Sequence, residues 1–267
     1  MSNLATRLLA PLALAGALLT ANAASAQTLL ALVGDSTIAW VSPKSWKATG
    51  TVNVKGAKLV GFDVRPADGM LYGVTTDNWI VTIDPKTGAM TKKAELSTKL
   101  PAGVAVSIDF NPVADRMRIV GGDGTSLRVN VDDGKAIVDG MLKFADTDMN
   151  KGKTPRVIAA AYSFSFKGTK ETTLYDIDAT TGSFLRQAPP NDGILNTIGA
   201  LKVKLDGPIA FNIVSDGDGK NAAWLVVGGK LYSVDMPTGA VKLVGTIGGL
   251  KGKIKDIAWW PAAAKTM

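Results

Sequence analysis

Apolar and polar residues alternate along most of the chain after residue 27, and turn-forming residues interrupt the alternation at short intervals. Leu59–Arg65, Met70–Thr75 and Trp79–Ile83 are three such runs, separated by turns rich in Pro, Gly, Asp and Asn. A period of two is typical of a strand with one buried face. No segment after residue 27 has the sustained apolar spacing of a long amphipathic helix. The pattern therefore predicts an all-β protein.

A short motif recurs at the end of one strand in each part of the chain. It consists of an apolar residue, then Asp or Asn, then turn formers and Gly, as in Ile83-Asp84-Pro85-Lys86-Thr87-Gly88. The acid side chain accepts backbone hydrogen bonds within such a turn, and Gly adopts the positive φ. The motif predicts a corner between antiparallel strands, and we call its second residue the corner residue. The five corner residues are Ser42 (in a degraded copy), Asp84, Asn130, Asp178 and Asp235.

The corner residues recur about every 40 to 60 residues, a period typical of β-propeller blades. The ends of the chain complement each other. Ile254–Trp260 resembles an inner strand without a blade, whereas Thr28–Val33 begins three strands without an inner partner. Joined, they complete a blade and remove open sheet edges. We predict a five-bladed β-propeller, closed by N-terminal strands that pair with the C-terminal strand; a six-bladed propeller is the alternative.

One unit departs from the pattern. The segment from Val157 to Phe166 runs to its corner residue, Asp178, with about one strand's turn missing. The fourth unit is therefore predicted to be irregular.

The N-terminus carries an export pattern. Arg7 precedes the apolar run Leu8–Leu19, and Ala24-Ser25-Ala26 fits a cleavage site. No apolar run reaches the length of about 20 residues that a bilayer span needs. We expect residues 1–26 to be a signal peptide, residues 27–267 to form a single propeller domain without a transmembrane segment, and the protein to be periplasmic or secreted.

Composition removes several classes of function. The chain has no His and no Cys, which excludes histidine-dependent nucleophilic catalysis, thiolate chemistry and disulfides. The net charge is +7, but 30 basic and 23 acidic residues are interleaved. A nucleic-acid partner is therefore not expected.

Several segments resemble one family of exported bacterial proteins, the domain of unknown function 4394 family. The most specific of them is Gln187-Ala188-Pro189-Pro190-Asn191-Asp192-Gly193-Ile194-Leu195. The resemblance covers nearly all of 27–261 and implies a propeller-like fold and a secreted setting, but no activity, substrate or catalytic residue. The chain departs from the family at Asn212, where such proteins tend to have Asp. The other similar segments are Asp109-Phe110-Asn111-Pro112, Asp115-Arg116-Met117-Arg118, Ala160-Ala161-Tyr162, Thr172-Thr173-Leu174-Tyr175-Asp176-Ile177-Asp178 and Ile198-Gly199.

The inner strands of a propeller line a central channel, where small-molecule sites are usually built. Asp63 and Asp109 occupy equivalent inner-strand positions, and we expect Asp256 to approach them. Such carboxylates can bind a cation or act as acid and base on a glycosidic bond. Because repetition between blades favours a structural role, satisfying backbone donors is the competing interpretation. The candidate ligand-binding residues at the channel are Asp63, Arg65, Asp109, Asn111, Asn212 and Asp256.

Other segments are weaker candidates. The rigid turn Pro189–Gly193 presents Asn191 and Asp192 either as a ligand loop or as a plain connector. Asp146, Asp148 and Asn150 alternate as in a calcium loop, but Lys151 replaces the usual Gly and no Glu follows, so a solvated turn is the favoured interpretation. Calcium is thus the one cofactor considered. A cluster of Arg116, Arg118 and Arg128 could grip an anionic ligand, but surface charge pairs on a hairpin are the favoured interpretation.

Three functions are compatible with these features. The leading hypothesis is a non-catalytic module that binds a small molecule, glycan or envelope protein. The alternative is a carboxylate-dependent hydrolase of glycans or lactones at the channel mouth, which needs two acids about 5–10 Å apart around a pocket. A scaffold that binds through an exposed apolar patch is the third.

Overall fold

The computed structural model describes residues 27–261; the predicted signal peptide, 1–26, and residues 262–267 lie outside the described part. Within it the chain forms 21 strands. The first eleven are β1 (Thr28–Val33), β2 (Thr37–Val41), β3 (Ala48–Asn53), β4 (Leu59–Val64), β5 (Leu71–Thr75), β6 (Trp79–Ile83), β7 (Met90–Glu95), β8 (Val106–Asn111), β9 (Arg116–Gly121), β10 (Ser126–Val129) and β11 (Ala136–Val138). The remaining ten are β12 (Lys143–Phe144), β13 (Val157–Tyr162), β14 (Leu174–Asp178), β15 (Ser183–Gln187), β16 (Ile194–Ala200), β17 (Ile209–Ser215), β18 (Asn221–Val227), β19 (Lys230–Val234), β20 (Val241–Thr246) and β21 (Ile254–Trp260).

The strands form five sheets, one per blade, and the prediction of a five-bladed propeller is confirmed. In strand order the blades are β21-β1-β2-β3, β4-β5-β6-β7, β8-β9-β10-β11, β13-β14-β15-β16-β12 and β17-β18-β19-β20. The closing blade joins the two ends of the described chain: β21 pairs antiparallel with β1, and Thr28 lies opposite Trp260. Closure gives the first three strands the inner partner that they otherwise lack.

The hydrophobic core lies between neighbouring blades. The inner strands β21, β4, β8, β13 and β17 follow one another round the channel, each beside the next. One cluster joins Tyr72 and Ile80 of the second blade to Phe110 and Leu127 of the third, and all four side chains are buried. Each sheet packs against a neighbour on both faces, so β5 and β8 are buried at nearly every position instead of on the single face that the alternation predicted. The outermost strand of the second blade, β7, is mostly exposed.

Corner glycines hold successive blades together. Gly88 has a φ of +70°, and its carbonyl accepts a hydrogen bond from the amide of Lys55 in the preceding blade, at 3.0 Å. Gly134 has a φ of +72°, and its carbonyl accepts the amide of Ser97 in the same way. At these two corners the Gly therefore combines a turn conformation with a contact between blades.

The fourth blade differs from the others, in the way its sequence indicated. Its corner residue, Asp178, lies between the second and third strands, whereas in the other blades the corner lies between the third and fourth. A further strand, β16, follows, and β12 pairs with it in parallel. Asp178 Oδ2 keeps the corner role, accepting the amide of Thr181 at 2.8 Å, while Oδ1 accepts the backbone amide of Arg156 at 2.6 Å.

Between residues 27 and 261, no helix is long and apolar enough to cross a membrane.

Candidate functional site

Polar side chains from three inner strands meet in the centre of the channel. Asp63 on β4 and Asp109 on β8 are buried, as is Asn212 on β17. The Asn212 side-chain amide donates to Asp63 Oδ1 and to Asp109 Oδ2, at 3.3 Å each. Asn212 therefore bridges two carboxyl groups with its two N–H donors, which the single O–H of a protonated acid at this position could not do.

Each channel acid also ties its strand to the next blade. Asp63 Oδ2 accepts the amide of Phe110 at 3.0 Å, and Asp109 Oδ1 accepts the amide of Tyr162 at 2.9 Å. Asp256 repeats this contact with the amide of Phe62, at 3.0 Å. These bonds satisfy buried donors at the centre of the ring and explain why acids recur there.

Burial dominates the electrostatics of the three acids. It raises the pKa of Asp63 to about 7, against the effect of its hydrogen bonds. Burial, followed by repulsion from Asp63, raises the pKa of Asp109 well above its ordinary value. Burial is also the largest cause of the raised pKa of Asp256. At neutral pH the three groups together therefore carry less than their full negative charge.

A pH dependence of stability follows from Asp63. The folded-state pKa is raised from 3.8 to about 7, so between these values the unfolded chain loses a proton that the folded protein keeps. Stability then falls as pH rises through this window and levels off above it, by up to about 4 kcal/mol. We expect Asp63→Asn to reduce this fall, as measured by urea unfolding at pH 4.5 and pH 8.

Asp84→Asn is a control in which the pH dependence of stability should change in the opposite direction. Hydrogen bonds from the amide of Lys86 and from Thr87 lower the pKa of this exposed corner acid. Its contribution to stability is present above pH 4 and lost as pH falls, so Asp84→Asn should weaken the protein only above pH 4. An unchanged pH profile for Asp63→Asn would contradict the assignment.

The channel opens into a smaller cavity of about 270 Å³ where the inner strands end. Asp63, Arg65 and Asn212 line this narrow mouth together with Lys167. Arg65 is already engaged, because its guanidinium binds both oxygens of Asp115, at 2.5 and 2.8 Å. Gln27 and Pro261 also line this mouth.

Asn111 does not join the channel group. Its side-chain oxygen accepts the amides of Val113 and Ala114, at 3.0 and 2.9 Å, and so closes the β8–β9 turn. This is the local Asx turn of its Asn-Pro sequence.

The larger mouth lies where the inner strands begin, and all five blades contribute to it. Its cavity of about 470 Å³ is bounded by a ring of five inner-strand residues: Val60, Val106, Ile158, Ile209 and Lys255. Three of them, Val60, Val106 and Ile209, each lie three positions before the channel residue of their strand. Four blades thus place a β-branched apolar residue in the ring, and the fifth places a lysine.

Sequence reasoning missed this wide mouth, because it searched for repeated polar residues. The detectable signal was the residue three positions before Asp63, Asp109 and Asn212, which is Val or Ile in each strand. This spacing does not lead to Lys255, because Lys255 lies one position before Asp256.

Asn191 and Asp192 lie away from both mouths, at the outer part of the fourth blade. Asn191 Oδ1 accepts a hydrogen bond from Arg118 Nη2 at 3.2 Å, and its backbone carbonyl accepts the amide of Gly140 at 2.9 Å. Asp192 is exposed. Pro189–Gly193 is therefore the turn between β15 and β16 within the fourth blade, and it contacts the third blade through Arg118. It is neither a wall of the channel nor a connector between the fourth and fifth blades.

The three arginines do not form the predicted surface pairs. Arg116 is exposed, but Arg118 is one of the most deeply buried side chains. Arg118 Nη1 donates to Asp139 Oδ2 at 2.5 Å, and Arg128 also binds this carboxylate, at 2.8 Å. The Arg118 side of the hairpin packs against the fourth blade, where it contacts Tyr162 and Asn191. The spacing of residues within a hairpin does not predict such a contact between blades.

A second buried acid faces this cluster. Asp176 is fully buried, and neither carboxyl oxygen has a hydrogen-bond partner within the described residues. Burial raises its pKa to about 8, while Arg118 acts in the opposite direction. Asp176 is therefore predominantly protonated at neutral pH.

The calcium-like turn does not fit a cation. Asp148 uses both carboxylate oxygens on Thr197, accepting its amide at 2.5 Å and its hydroxyl at 2.9 Å. Asn150 Oδ1 accepts the ammonium group of Lys153 at 2.9 Å, and Asp146 pairs with Lys151. The liganding oxygens are thus bound to protein donors. Elsewhere in the described chain, no three acidic, His or Cys side chains are grouped to hold a metal.

The chain is similar to proteins and domains of unknown function. A family model described as DUF4394, a domain of unknown function, matches residues 37–258. A solved structure of unknown function from Bacteroides thetaiotaomicron is 17% identical with a TM-score of 0.52; the match covers 87% of this chain and 65% of that one, slightly under two thirds. Another, of unknown function from Bacteroides caccae, is 15% identical with a TM-score of 0.45, and the match covers 88% and 99%. No curated protein matches the sequence.

Proposed function

The chain belongs to the DUF4394 family of domains of unknown function, and we propose a function for it on that basis. We propose that it is an exported, non-catalytic propeller that binds a small molecule in its wide mouth. The export proposal rests on the sequence of residues 1–26, which predicts delivery to the periplasm or the exterior. The binding proposal rests on the cavity.

The observation that carries the proposal is the joint lining of this cavity by all five inner strands. A volume of about 470 Å³ lies within the usual range for small-molecule sites. Its walls belong to strands held in place by the channel hydrogen bonds, so the cavity is formed before a ligand arrives. Preformed walls reduce the ordering cost of binding.

The arrangement of the acids favours binding over hydrolysis. Asp109 and Asp256 are buried and accept backbone amides of neighbouring blades. Asp63 borders only the narrow mouth. A glycosidase needs an acid and a second carboxylate facing the same bound substrate, whereas these groups hold strands together. Turnover of a glycan or lactone that is abolished by Asp63→Asn or Asp109→Asn would overturn this conclusion.

A blocking substitution tests the site. Ala105 is exposed at the edge of the wide mouth, so Ala105→Trp should fill the cavity without disturbing the core. We expect compounds that raise the melting temperature of the wild type, in a thermal-shift screen of small carboxylates, sugars and nucleosides, to lose this effect in Ala105→Trp.

The matched control is Ala114→Trp, on an exposed turn at the opposite side of the ring. It should respond to the same compounds as the wild type. Ligands that still stabilise Ala105→Trp to the full extent would place their site elsewhere.

A further inference from the structure

We propose that the wide mouth selects organic anions that combine an acidic head group with an apolar body. The head group lies near Lys255 and Arg156, and the body covers the apolar ring. This inference rests on the proposed function of the wide mouth and adds to it the chemical class of the ligand.

The first observation is the position of Lys255. Four of the five ring residues are Val or Ile, whereas Lys255 puts an ammonium group into the same layer. Lys255 is half-buried, and no carboxylate lies within ion-pair distance of it in the described part of the chain. Because burying a charge without a partner is unfavourable, an anion from solution is the complement that this wall lacks.

A second cation stands across the fifth blade. Arg156 precedes β13 and lines the same cavity, whereas Lys255 belongs to β21; β17 lies between them. The guanidinium of Arg156 has no ion pair or hydrogen bond within residues 27–261; its backbone amide donates to Asp178 and its backbone carbonyl accepts the amide of Ala179. The side chain is exposed and therefore free to close on a bound group.

The acids of the cavity do not cancel these charges. Asp35 is the one carboxylate in the described lining, and Lys58 pairs with it at 3.2 Å. Asp256 lies next to Lys255 in the chain, but its carboxylate accepts the amide of Phe62 inside the channel. The wide mouth therefore presents a positive charge above an apolar wall.

The rest of the cavity wall is apolar and determines the chemistry of the ligand's body. Val60, Val106, Ile158 and Ile209 provide apolar surface, continued by Leu205 and Pro208. Neutral sugars gain little from such a wall, and cations are repelled by its two basic groups. Carboxylates, sulfonates or phosphate monoesters attached to an aromatic or aliphatic body match both features.

The test uses probe pairs that differ only in charge. Naphthalene-1-acetate is compared with naphthalene-1-acetamide, and octanoate with octanamide, by isothermal titration with the full folded protein. We expect each anion to bind about tenfold more tightly than its amide, the size of one charge-assisted contact. The preference should shrink as the salt concentration rises.

Substitutions assign the effect to the two cations. Lys255→Met, which replaces the ammonium group by an apolar side chain, should remove most of the preference for the anion over its amide. Arg156→Gln should reduce the preference in part. The control Lys167→Met changes a lysine at the narrow mouth and should have no effect.

The outcomes separate the two proposals. If the anion and amide bind equally and Ala105→Trp blocks both, the pocket stands and the selection for anions is wrong. If an anion binds more tightly but Lys255→Met and Arg156→Gln do not change this, the selection arises elsewhere and the inference fails. If none of the four probes binds, both the pocket and its selectivity are contradicted.

Discussion

Gly88→Ala should lower the free energy of unfolding by about 3 kcal/mol or more. The residue has a φ of +70°, and an added Cβ atom would lie 2.0 Å from the carbonyl oxygen of Asn53 and 2.8 Å from its carbonyl carbon. These atoms belong to the backbone of the preceding blade, so relief of the clash requires two blades to separate. Strain and lost packing then act together. Urea denaturation at pH 7 measures the loss.

Gly56→Ala is the matched control. Gly56 has a φ of +94°, but an added Cβ would meet nothing within 4 Å. It should therefore show only the backbone strain, about 1–2 kcal/mol. Gly134, which approaches the carbonyl oxygen of Glu95 to the same 2.0 Å, should behave like Gly88. Equal losses at Gly56 and Gly88 would show that the blade contact contributes nothing.

Arg118→Met is the second substitution with a large expected effect, a loss of about 3 kcal/mol. Arg118 is buried between the third and fourth blades, and its guanidinium donates to Asp139, Tyr162 and Asn191. Methionine fills part of the space but leaves these acceptors without their donor. Arg128 still binds Asp139, which keeps the expected loss at the lower end of the range for broken buried ion pairs. Thermal and urea unfolding both report it.

Arg116→Met provides the comparison on the same strand. Arg116 is exposed and bonds only carbonyl oxygens of its own turn, those of Ala114 and Asp115. Its substitution should change stability by less than about 0.5 kcal/mol. A similar small change for Arg118→Met would mean that the buried cluster does not hold the two blades together.

Local regularity made the fold predictable. Short segments of the sequence show the alternating strands, the corner residues and the complementary chain ends. The repetition of these segments predicted five blades and the closure of the ring. The prediction of Ile254–Trp260 as the inner partner of Thr28–Val33 is confirmed by the register of β21 and β1. The departure of the fourth blade also had a local sign, the shortened run to Asp178.

The candidate site was less predictable than the fold, because its side-chain contacts depend on how neighbouring blades are oriented. Repetition identified Asp63 and Asp109 as channel residues, but only their contacts with Phe110 and Tyr162 reveal what they hold. The burial of Arg118 follows from packing between blades, which hairpin spacing does not encode. Lys255 appears unremarkable in sequence, since lysine is common on exposed strands.

The amino-acid sequence by itself determined the class of fold, the number of blades, the closure of the ring and the exclusion of histidine and cysteine chemistry. Those properties follow from residue types and from periodicity, which act over a few neighbouring positions. Only the tertiary structure decided which mouth of the channel is wide, that Lys255 stands in an apolar ring and that Arg156 faces the same cavity. These facts depend on bringing together residues from blades that are distant in the chain, and that arrangement is set by the packing of whole sheets rather than by any local pattern.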